Sequence, residues 1–253
     1  MILDQFRLDG KTALVTGASA GLGAAMAIAL AQAGADVICH GNSHSPEQTC
    51  GQIEKLGRKA ATVTSDLSKH GAAEELFAKA QRFSAVDILV NNAGTIRRAK
   101  ATEYSDADWS AVLEVNLNSV WKLCQAAGRG FLCRKSGGKI INIASLLAFE
   151  GGITVAAYAA SKGAVAQLTK ALANEWAAHN VNVNAIAPGY MRTDNTAALQ
   201  RDEVRNRQII ERIPAGRWGD PNDLAGTVVF LASAASSYIH GHVLIVDGGW
   251  MGR

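Results

Sequence analysis

The chain has 253 residues, of which 48% are hydrophobic and 19% charged, and its formal net charge is +3 at pH 7. This composition is typical of one globular domain and excludes a disordered chain. Because the basic residues are scattered, no nucleic-acid partner is indicated. The sequence has no run of about 18 apolar residues, and its first residues lack the pattern of a signal peptide. We therefore expect no membrane partner and a cytoplasmic location.

Short β-branched segments alternate with longer helical patterns along the chain. The predicted strands are Thr12–Thr16, Asp36–His40, Ala61–Thr64, Asp87–Val90, Lys139–Ile143, Val181–Ile186 and Val243–Val246. The predicted helices lie near 21–33, 47–56, 69–82, 107–134, 156–179 and 221–233. Such alternation predicts an α/β fold with a parallel sheet, and the nearly continuous apolar strands indicate helices on both faces. We expect residues 1–253 to form a single domain around a Rossmann-type, doubly wound sheet of about seven strands.

Residues 189–219 interrupt this alternation. They are polar, charged and longer than an ordinary connection, which is typical of a binding loop or lid. Asp220 and Pro221 then predict a helix start, with the aspartate as cap and the proline in the first turn. The sequence therefore predicts a substrate lid over about 189–219 within the single domain.

A glycine-rich turn follows the first predicted strand. Its three glycines allow a tight turn and a close backbone approach to a pyrophosphate, and the next helix offers its N–H groups. Glycines alone are a weak signal, but their place between a strand and an Ala-rich helix predicts a dinucleotide site. The cofactor-binding residues predicted in this turn are Gly17, Ser19, Ala20, Gly21, Leu22 and Gly23.

Tyr158 and Lys162 stand four positions apart in a predicted helix, so their side chains lie on one face. Ketone reduction needs a proton donor at the carbonyl oxygen, and a free tyrosine with a pKa of about 10 transfers protons poorly near neutral pH. A nearby ammonium lowers a tyrosine pKa, so we expect Lys162 to lower the pKa of Tyr158. Ser145 follows the fifth predicted strand, where its hydroxyl would polarise a substrate carbonyl.

With these motifs the chain resembles the classical short-chain dehydrogenase/reductases over essentially its whole length. The shared segments occur in the family's order and are Thr16–Gly23, Asn91–Gly94, Ser145, Tyr158 with Lys162, Pro188 with Gly189, and Asp247–Gly249. The resemblance implies that Ser145, Tyr158 and Lys162 are catalytic, and that Asn116 is a fourth catalytic residue that holds a water in a proton relay ending at Lys162. It also implies cofactor contacts at Asp66, Leu67, Asn92, Ala93, Gly94, Tyr158, Lys162, Pro188, Gly189 and Thr193. From the residues alone, Asp66 also fits a helix cap.

The end of the second strand bears on the choice of nicotinamide cofactor. An NAD site usually places a carboxylate there for the ribose, whereas an NADP site needs a cation for the 2′-phosphate. No Lys or Arg occurs between positions 34 and 54, and burying a phosphate without a charged partner is costly. We therefore expect NAD(H), with Asn42 and Ser43 near the ribose hydroxyl. NADP(H) stays open because a protonated His40 or His44 would assist a phosphate.

Arginines close to the predicted crevice indicate an acidic substrate, because a guanidinium matches a carboxylate in geometry. The segments NNAGTIRR, ERIPAGRWGDP and VDGGW also resemble the sugar-acid branch of the family. That branch acts on keto-gluconates, on 2-dehydro-3-deoxy-gluconate and on the keto-deoxy-uronate 4-deoxy-L-erythro-5-hexoseulose uronate, which implies a role in alginate or pectin breakdown. The chain departs from the branch at Thr154 and Arg192. The predicted substrate-binding residues are Arg97, Arg98, Ser145, Gly152, Tyr158, Arg192 and Arg217.

Two other functions are compatible with the same fold. One is an NADPH-dependent β-ketoacyl thioester reductase, which the missing cation and the basic lid disfavour. The other is a catalytically silent dinucleotide-binding sensor, which the complete set of catalytic residues disfavours. The resemblance further implies a homotetramer. No metal-ligand spacing is present, and the four cysteines, at positions 39, 50, 124 and 133, are expected to be reduced thiols.

Overall fold

The computed structural model describes the whole chain, Met1–Arg253. Its centre is one parallel sheet of seven strands in the order β3-β2-β1-β4-β5-β6-β7. The strands are β1 (Thr12–Val15), β2 (Asp36–Gly41), β3 (Ala60–Thr64), β4 (Ile88–Asn91), β5 (Gly138–Ile143), β6 (Val181–Pro188) and β7 (Val243–Val246). The predicted Rossmann-type sheet is confirmed, and the order in which the strands are added reverses between β1 and β4, where such sheets bind their ligands.

Helices cover both faces of this sheet. They are α1 (Gly21–Gln32), α2 (Glu47–Lys55), α3 (Ala72–Phe83), α4 (Asp106–Leu113), α5 (Ser119–Arg134), α6 (Ala156–Trp176), α7 (Ala197–Arg201), α8 (Glu203–Arg212) and α9 (Ala225–Ala232). α1, α2 and α9 pack on one face in a cluster of 24 buried residues that includes Met26 and Leu30. α3, α5 and α6 pack on the other face in a cluster of 21 buried residues that includes Phe131 and Trp176.

The central strand β1 shows why these sequences form strands. All four of its residues are buried. Ala13 and Val15 contribute to the cluster on one face, whereas Leu14 contributes to the cluster on the other. Side chains alternate between the faces of a strand, so a sheet covered on both sides needs apolar residues at every position.

Asparagines on β6 secure the segment that leads into β7. The Asn182 Nδ2 donates to the carbonyl oxygens of Ser237 at 3.0 Å and Ile239 at 2.9 Å. The Asn184 Nδ2 donates to Ile239 O at 2.8 Å, and its Oδ1 accepts from the His242 N–H at 2.9 Å. These buried amides satisfy backbone groups of an irregular segment, which explains polar residues in a strand that is buried along its whole length.

Two predicted segments differ from the structure. The helix predicted over 107–134 is divided into α4 and α5 by a π-helical turn, Glu114–Asn118. The segment 189–219, predicted as a lid without regular structure, contains α7 and α8, and Asp202 caps α8 by accepting from the N–H groups of Val204 and Arg205. Asp220 and Pro221 start a helix as predicted, although its first turn is 3-10.

No helix of the structure is both long enough and apolar enough to cross a bilayer.

Candidate active site

The glycine turn between β1 and α1 leaves no room for a side chain at Gly17 or Gly23. Gly17 has a φ of +66°, and a Cβ there would lie 3.0 Å from the Ala93 Cα. A Cβ on Gly23 would lie 2.1 Å from the Gly17 carbonyl oxygen. Asn92 closes the turn from the next strand, because its Nδ2 donates to the carbonyl oxygens of Thr16 at 2.9 Å and Gly17 at 3.1 Å. The turn is therefore a preformed cradle of backbone groups at the N-terminus of α1.

A cleft of about 250 Å³ opens beside this cradle at the carboxyl ends of the strands. It is lined by Gly17, Ala20, Gly21, Leu22, Gly23, Asn92, Gly94, Ile143, Tyr158, Lys162, Thr193, Asp194 and Asn195. The cleft thus joins the predicted pyrophosphate turn to the predicted catalytic residues. A dinucleotide fits this arrangement, with backbone N–H groups at one end and Tyr158 with Lys162 at the other.

His40 has a structural place that the sequence did not reveal. It is buried, its Nδ1 accepts from the Gly17 N–H at 3.3 Å, and its Nε2 lies 3.0 Å from the Ser65 carbonyl oxygen. Burial lowers its pKa, because a charged imidazole would lose its hydration. The predicted role of a protonated His40 at a phosphate is wrong, since the neutral ring is used to hold the glycine turn.

The other residues predicted to contact the adenosine follow the strands β2 and β3. Asn42 and Ser43 follow β2 and are exposed. The Asp66 carboxylate accepts from the Ser68 hydroxyl at 2.7 Å and the Ser68 N–H at 3.0 Å, and these bonds lower its pKa. Asp66 therefore caps a local turn rather than α3, which has Gly71 at its N-cap. The Leu67 side chain is buried in the core, so it offers a ligand only its backbone.

Ser145, Tyr158 and Lys162 meet at the other end of the cleft. Ser145 follows β5, its hydroxyl accepts from the Leu147 N–H at 3.2 Å, and its side chain acts on the pKa of Tyr158. The Lys162 Nζ lies 5.6 Å from the centre of the Tyr158 ring and donates to the Ile143 carbonyl oxygen at 2.6 Å. The end of one strand and the first turns of α6 therefore bring together all three residues.

Burial sets the proton affinities of this pair. It raises the pKa of Tyr158, opposed by the hydrogen bond with Ser145 and by the charge of Arg98. It lowers the pKa of Lys162 to about 8. The Lys162 ammonium donates to the Ile143 carbonyl, and the lowering of the Tyr158 pKa by Lys162 stays a prediction. Ser145 and Arg98 are the groups that favour a phenolate here.

Asn116 lies in the π-helical turn and is completely buried. Its Oδ1 accepts from the Thr95 N–H at 2.8 Å, and its Nδ2 donates to the Thr95 carbonyl at 2.9 Å and to the Ser161 hydroxyl at 3.2 Å. The side chain therefore clamps the segment that leads to Arg97 and Arg98. It does not line the cleft. A π-turn at such a place is a frequent feature of functional sites.

The predicted substrate arginines differ in what they contact. Arg217 makes two bonds to Asp223, at 2.7 and 3.0 Å, and lines a second pocket, so its role at the substrate stays a prediction. Arg97 faces Asp108, with 3.6 Å between Nε and Oδ1. Arg98 and Arg192 are exposed and form no ion pair. Only Arg98 acts electrostatically on Tyr158.

The remaining predicted contacts surround the cleft. Pro188 ends β6, and the Gly189 N–H donates to the Val246 carbonyl at 2.9 Å. Thr193 caps a 3-10 turn and packs over the glycine turn, since its Cγ2 would lie 3.6 Å from a Cβ on Gly21. Gly152 lies outside the cleft lining, in the segment after Ser145.

Sequence reasoning missed three cleft residues and one link. Ile143, Asp194 and Asn195 line the cleft, although nothing in their residue types distinguishes them from neighbours. Thr154 adopts a φ of +66°, which is strained for a β-branched residue, and its carbonyl accepts from the Ala99 N–H at 3.1 Å. This bond ties the Arg98 segment to the segment after Ser145.

The geometry agrees with the comparison to known proteins. Residues 17–251 match a family model described as enoyl-(acyl carrier protein) reductase, a model of the short-chain dehydrogenase/reductases. The chain belongs to the short-chain dehydrogenase/reductase family. It is a nicotinamide-dinucleotide-dependent oxidoreductase that acts on CH–OH groups.

Proteins similar to the chain act on sugar acids. It is 54% identical over 250 residues to the 2-dehydro-3-deoxy-D-gluconate 5-dehydrogenase of Bacillus subtilis, covering 99% of the chain and 98% of the relative. It is 52% identical over 254 residues to the enzyme of the same name from Escherichia coli K12, covering 100% of both. The crystal structure of a gluconate 5-dehydrogenase from Burkholderia cenocepacia, in complex with NADP and tartrate, has a TM-score of 0.94 at 39% identity and 100% coverage of both chains.

Proposed function

We propose that this dehydrogenase interconverts a carbonyl and an alcohol on a small sugar acid of the keto-deoxy-uronate or keto-gluconate type. The observation that carries the proposal is Arg98, an exposed cation without an ion pair in a segment that the bond from the Ala99 N–H to the Thr154 carbonyl, at 3.1 Å, ties to the segment after Ser145. A carboxylate held by Arg98 would bring the rest of a short substrate to the catalytic hydroxyls. The names of the similar enzymes support the same substrate class.

The catalytic roles follow from the contacts. Tyr158 donates its proton to the carbonyl oxygen in reduction and removes it in oxidation, because it lines the cleft and its raised pKa keeps the hydroxyl protonated near neutral pH. Ser145 holds the same oxygen by a hydrogen bond. A dinucleotide bound along the glycine turn supplies or accepts the hydride. Lys162, with a pKa near 8, exchanges protons near neutral pH and so lies ready to restore the Tyr158 proton.

NAD(H) remains the favoured cofactor in our proposal. The segment after β2, which would meet the 2′-position of the cofactor ribose, carries no Lys or Arg. The nearby His40 is neutral, and the ionised Asp66 lies 3.5 Å from the Asn42 amide. A 2′-phosphate would therefore face a carboxylate without a fixed cation. The related gluconate 5-dehydrogenase was solved with NADP, so the assay below treats NADP(H) as the competing choice.

The test is the absorbance of the reduced cofactor with purified protein. NADH and NADPH are each offered with a keto-deoxy-uronate, with 5-keto-gluconate and with acetoacetyl thioester. We expect NADH oxidation by a sugar acid, and a loss of about 10² to 10⁴ in kcat for Tyr158→Phe with cofactor affinity retained. Tyr104→Phe is the control, because that hydroxyl donates only to the Arg97 carbonyl.

Each other outcome contradicts a defined part of the proposal. Turnover of the thioester alone would contradict the substrate class, and a preference for NADPH would contradict the cofactor choice. Full activity of Tyr158→Phe would contradict the assignment of the proton donor. Cofactor binding without turnover of any substrate would favour the silent sensor.

A further inference from the structure

Thr154 has a backbone conformation that its residue type disfavours. Three residues other than glycine have a positive φ, and they are Lys135, Thr154 and Asn180. Lys135 and Asn180 each end a helix, where the left-handed conformation is common. Thr154, with a φ of +66°, ends no helix and is β-branched, so its backbone is strained. Such strain persists only where the surrounding structure imposes it, and it is frequent at functional sites.

Contacts on both sides of Thr154 hold this conformation. Its hydroxyl donates to the Ile153 carbonyl at 2.6 Å, and its own carbonyl accepts from the Ala99 N–H at 3.1 Å. The next residue, Val155, is buried and is the N-cap of α6. Thr154 therefore lies where the chain turns into the helix that carries Tyr158, and at the same point it bonds to the segment that carries the substrate arginine.

The arginine segment is anchored at both ends. At its start, both backbone groups of Thr95 bond to the Asn116 amide, at 2.8 and 2.9 Å. At its end, the Ala99 N–H bonds to the Thr154 carbonyl. The peptide unit between Arg98 and Ala99 is planar, so a bond to the Ala99 N–H also fixes the Arg98 Cα. The direction in which the exposed Arg98 side chain leaves the backbone thus depends on Thr154.

We propose that Thr154 is a positioning residue for the substrate, because its left-handed backbone aims its carbonyl at the Ala99 N–H and so holds Arg98 where the guanidinium receives the substrate carboxylate. The role rests on the proposed function, in which Arg98 binds that carboxylate. The φ at position 154 performs the task, and the Thr154 hydroxyl assists by its bond to the Ile153 carbonyl. A residue with an extended or helical φ would turn the carbonyl away from Ala99.

Substrate binding should therefore follow the φ preference of the residue at position 154 rather than its size or polarity. Glycine adopts a positive φ freely, and asparagine tolerates it. Valine has the shape of threonine but lacks the hydroxyl that bonds to Ile153, so it disfavours a positive φ. Proline fixes φ near about −65°. The Thr154 N–H donates to no protein group, so proline removes no hydrogen bond there and changes only the conformation.

The first test compares steady-state kinetics of four variants with the keto acid that reacts best in the assay above. We expect Thr154→Pro to raise the KM for the keto acid about 10- to 100-fold, with a smaller change in kcat. Thr154→Val should raise the KM by a smaller factor, whereas Thr154→Gly and Thr154→Asn should stay close to the wild type. A KM raised equally by all four variants, or by none, would overturn the proposal.

Two controls show that the variants are folded and that the effect belongs to position 154. The fluorescence of the reduced cofactor gives its affinity without any substrate, and this affinity should be the same in all four variants. Ile153→Val is the matched control, because Ile153 is the neighbouring residue, is exposed and has no positive φ. Its KM should equal that of the wild type, and a rise equal to that of Thr154→Val would overturn the proposal.

A double-mutant cycle separates positioning of Arg98 from a general loosening of the segment. In the Arg98→Ala background the carboxylate has lost its partner, so Thr154→Pro should raise the KM by less than about threefold more. Effects of the two substitutions that simply multiply would overturn the proposal. Arg98→Ala with an unchanged KM would instead contradict the proposed function, so the two failures are distinguishable.

Hydrogen exchange tests the same contact in the absence of substrate. Deuterium uptake is measured by mass spectrometry on peptides that contain Thr95 and Ala99. The Ala99 amide should exchange at least about tenfold faster in Thr154→Pro than in the wild type and should keep its protection in Thr154→Gly. The Thr95 amide, which bonds to Asn116, is the internal control and should not change. A raised KM with unchanged exchange at Ala99 would overturn the proposal.

Discussion

At the scale of single residues, one arginine is expected to give the enzyme its selectivity for substrates that carry a carboxylate. Arg97 and Arg98 are adjacent, exposed and equally charged, yet Arg97 is paired with Asp108, whereas Arg98 has no ion pair and its charge lowers the pKa of Tyr158. A charge-assisted hydrogen bond to a carboxylate contributes about 1.5 to 3 kcal/mol. We expect Arg98→Ala to raise the KM for the sugar acid about 10- to 100-fold and to affect kcat less.

The neighbouring arginine provides the control for this experiment. Arg97→Ala removes the same charge from the same segment but not from the side of Tyr158, so its KM should change less than threefold. Steady-state kinetics of both variants with one keto acid make the comparison. Equal effects of the two substitutions would show that Arg98 contributes only general surface charge.

We expect the buried ammonium of Lys162 to lower the free energy of unfolding of the protein. Its pKa of about 8 lies below the value of an unfolded lysine, so below pH 8 the ammonium is present in both states and burial destabilises the fold. Between pH 8 and about 10.5 the unfolded state binds more protons, so this destabilisation diminishes as the pH rises. Lys162→Met should therefore increase the free energy of unfolding by about 1–3 kcal/mol at pH 7, with a smaller gain at pH 9.5.

Denaturant unfolding at the two pH values measures this difference. Lys170→Met is the matched control, because that lysine lies on the same helix but is exposed. Its stability should change little and without dependence on pH. If Lys162→Met were destabilising at pH 7, the bond from Lys162 to the Ile143 carbonyl would outweigh the burial of the charge.

The residue-scale predictions succeeded where the signal is local. Tyr158 and Lys162 are four apart on one helix, so the sequence was enough to place them together. The charged form of His40 was wrong because its partner, the Gly17 backbone, lies 23 residues away in sequence and becomes a neighbour only through folding. Residue type identifies a possible cation, but its function depends on which anion the fold places beside it.

At the scale of elements, the junction of β1 and α1 has the tightest packing requirement. Gly23→Ala would place a methyl group 2.1 Å from the Gly17 carbonyl and 2.5 Å from the Asn92 Nδ2. The Gly17 carbonyl is backbone, and the Asn92 Nδ2 already donates two hydrogen bonds, so neither neighbour can move away from the added methyl group. We expect this variant to lose cofactor binding, as measured by NADH fluorescence, and to unfold more easily.

A glycine with free space around it gives the opposite expectation. Gly51 lies within α2, and a Cβ there meets no atom within 4 Å. Gly51→Ala should retain cofactor binding and stabilise the protein by about 0.5–1 kcal/mol, since alanine favours a helix. If both variants bind cofactor normally, the glycine turn does not form the binding cradle.

Element prediction failed where tertiary contacts override local preference. Strand and helix patterns were readable because each strand must be apolar on both faces and each helix on one. The π-turn between α4 and α5 carries Asn116, which contacts the Thr95 backbone, and periodicity does not encode that contact. Helices α7 and α8 were missed because their polar sequences carry few apolar positions, with Ile209 the one buried residue of α8.

At the scale of the whole molecule, one tryptophan near the C-terminus connects the lid to the segment after Ser145. Trp250, near the C-terminus, is buried with Ile209, Ile213 and Trp218 of the lid. Its Nε1 donates to the Glu150 carboxylate at 2.9 Å, in the segment after Ser145. The C-terminal residues therefore hold the lid to the catalytic segment.

Trp250→Ala should loosen this assembly. Removing a buried aromatic side chain costs about 3–5 kcal/mol, and a lid that is less well held should raise the KM for substrate more than that for cofactor. Trp121→Ala is the control, because Trp121 is 37% exposed on α5 and far from the lid in sequence. Denaturation and steady-state kinetics measure both effects, and equal losses in the two variants would contradict a specific role for Trp250.

The strand order has a consequence for synthesis on the ribosome. β1 lies between β2 and β4, but β4 begins at Ile88, some 70 residues after β1 ends. At about 5–20 residues per second, one edge of β1 waits roughly 4–15 s for its partner. During that time the nascent chain presents an open apolar edge that invites pairing with other chains. Wrong pairing of β1 is therefore most favoured in the interval before β4 emerges.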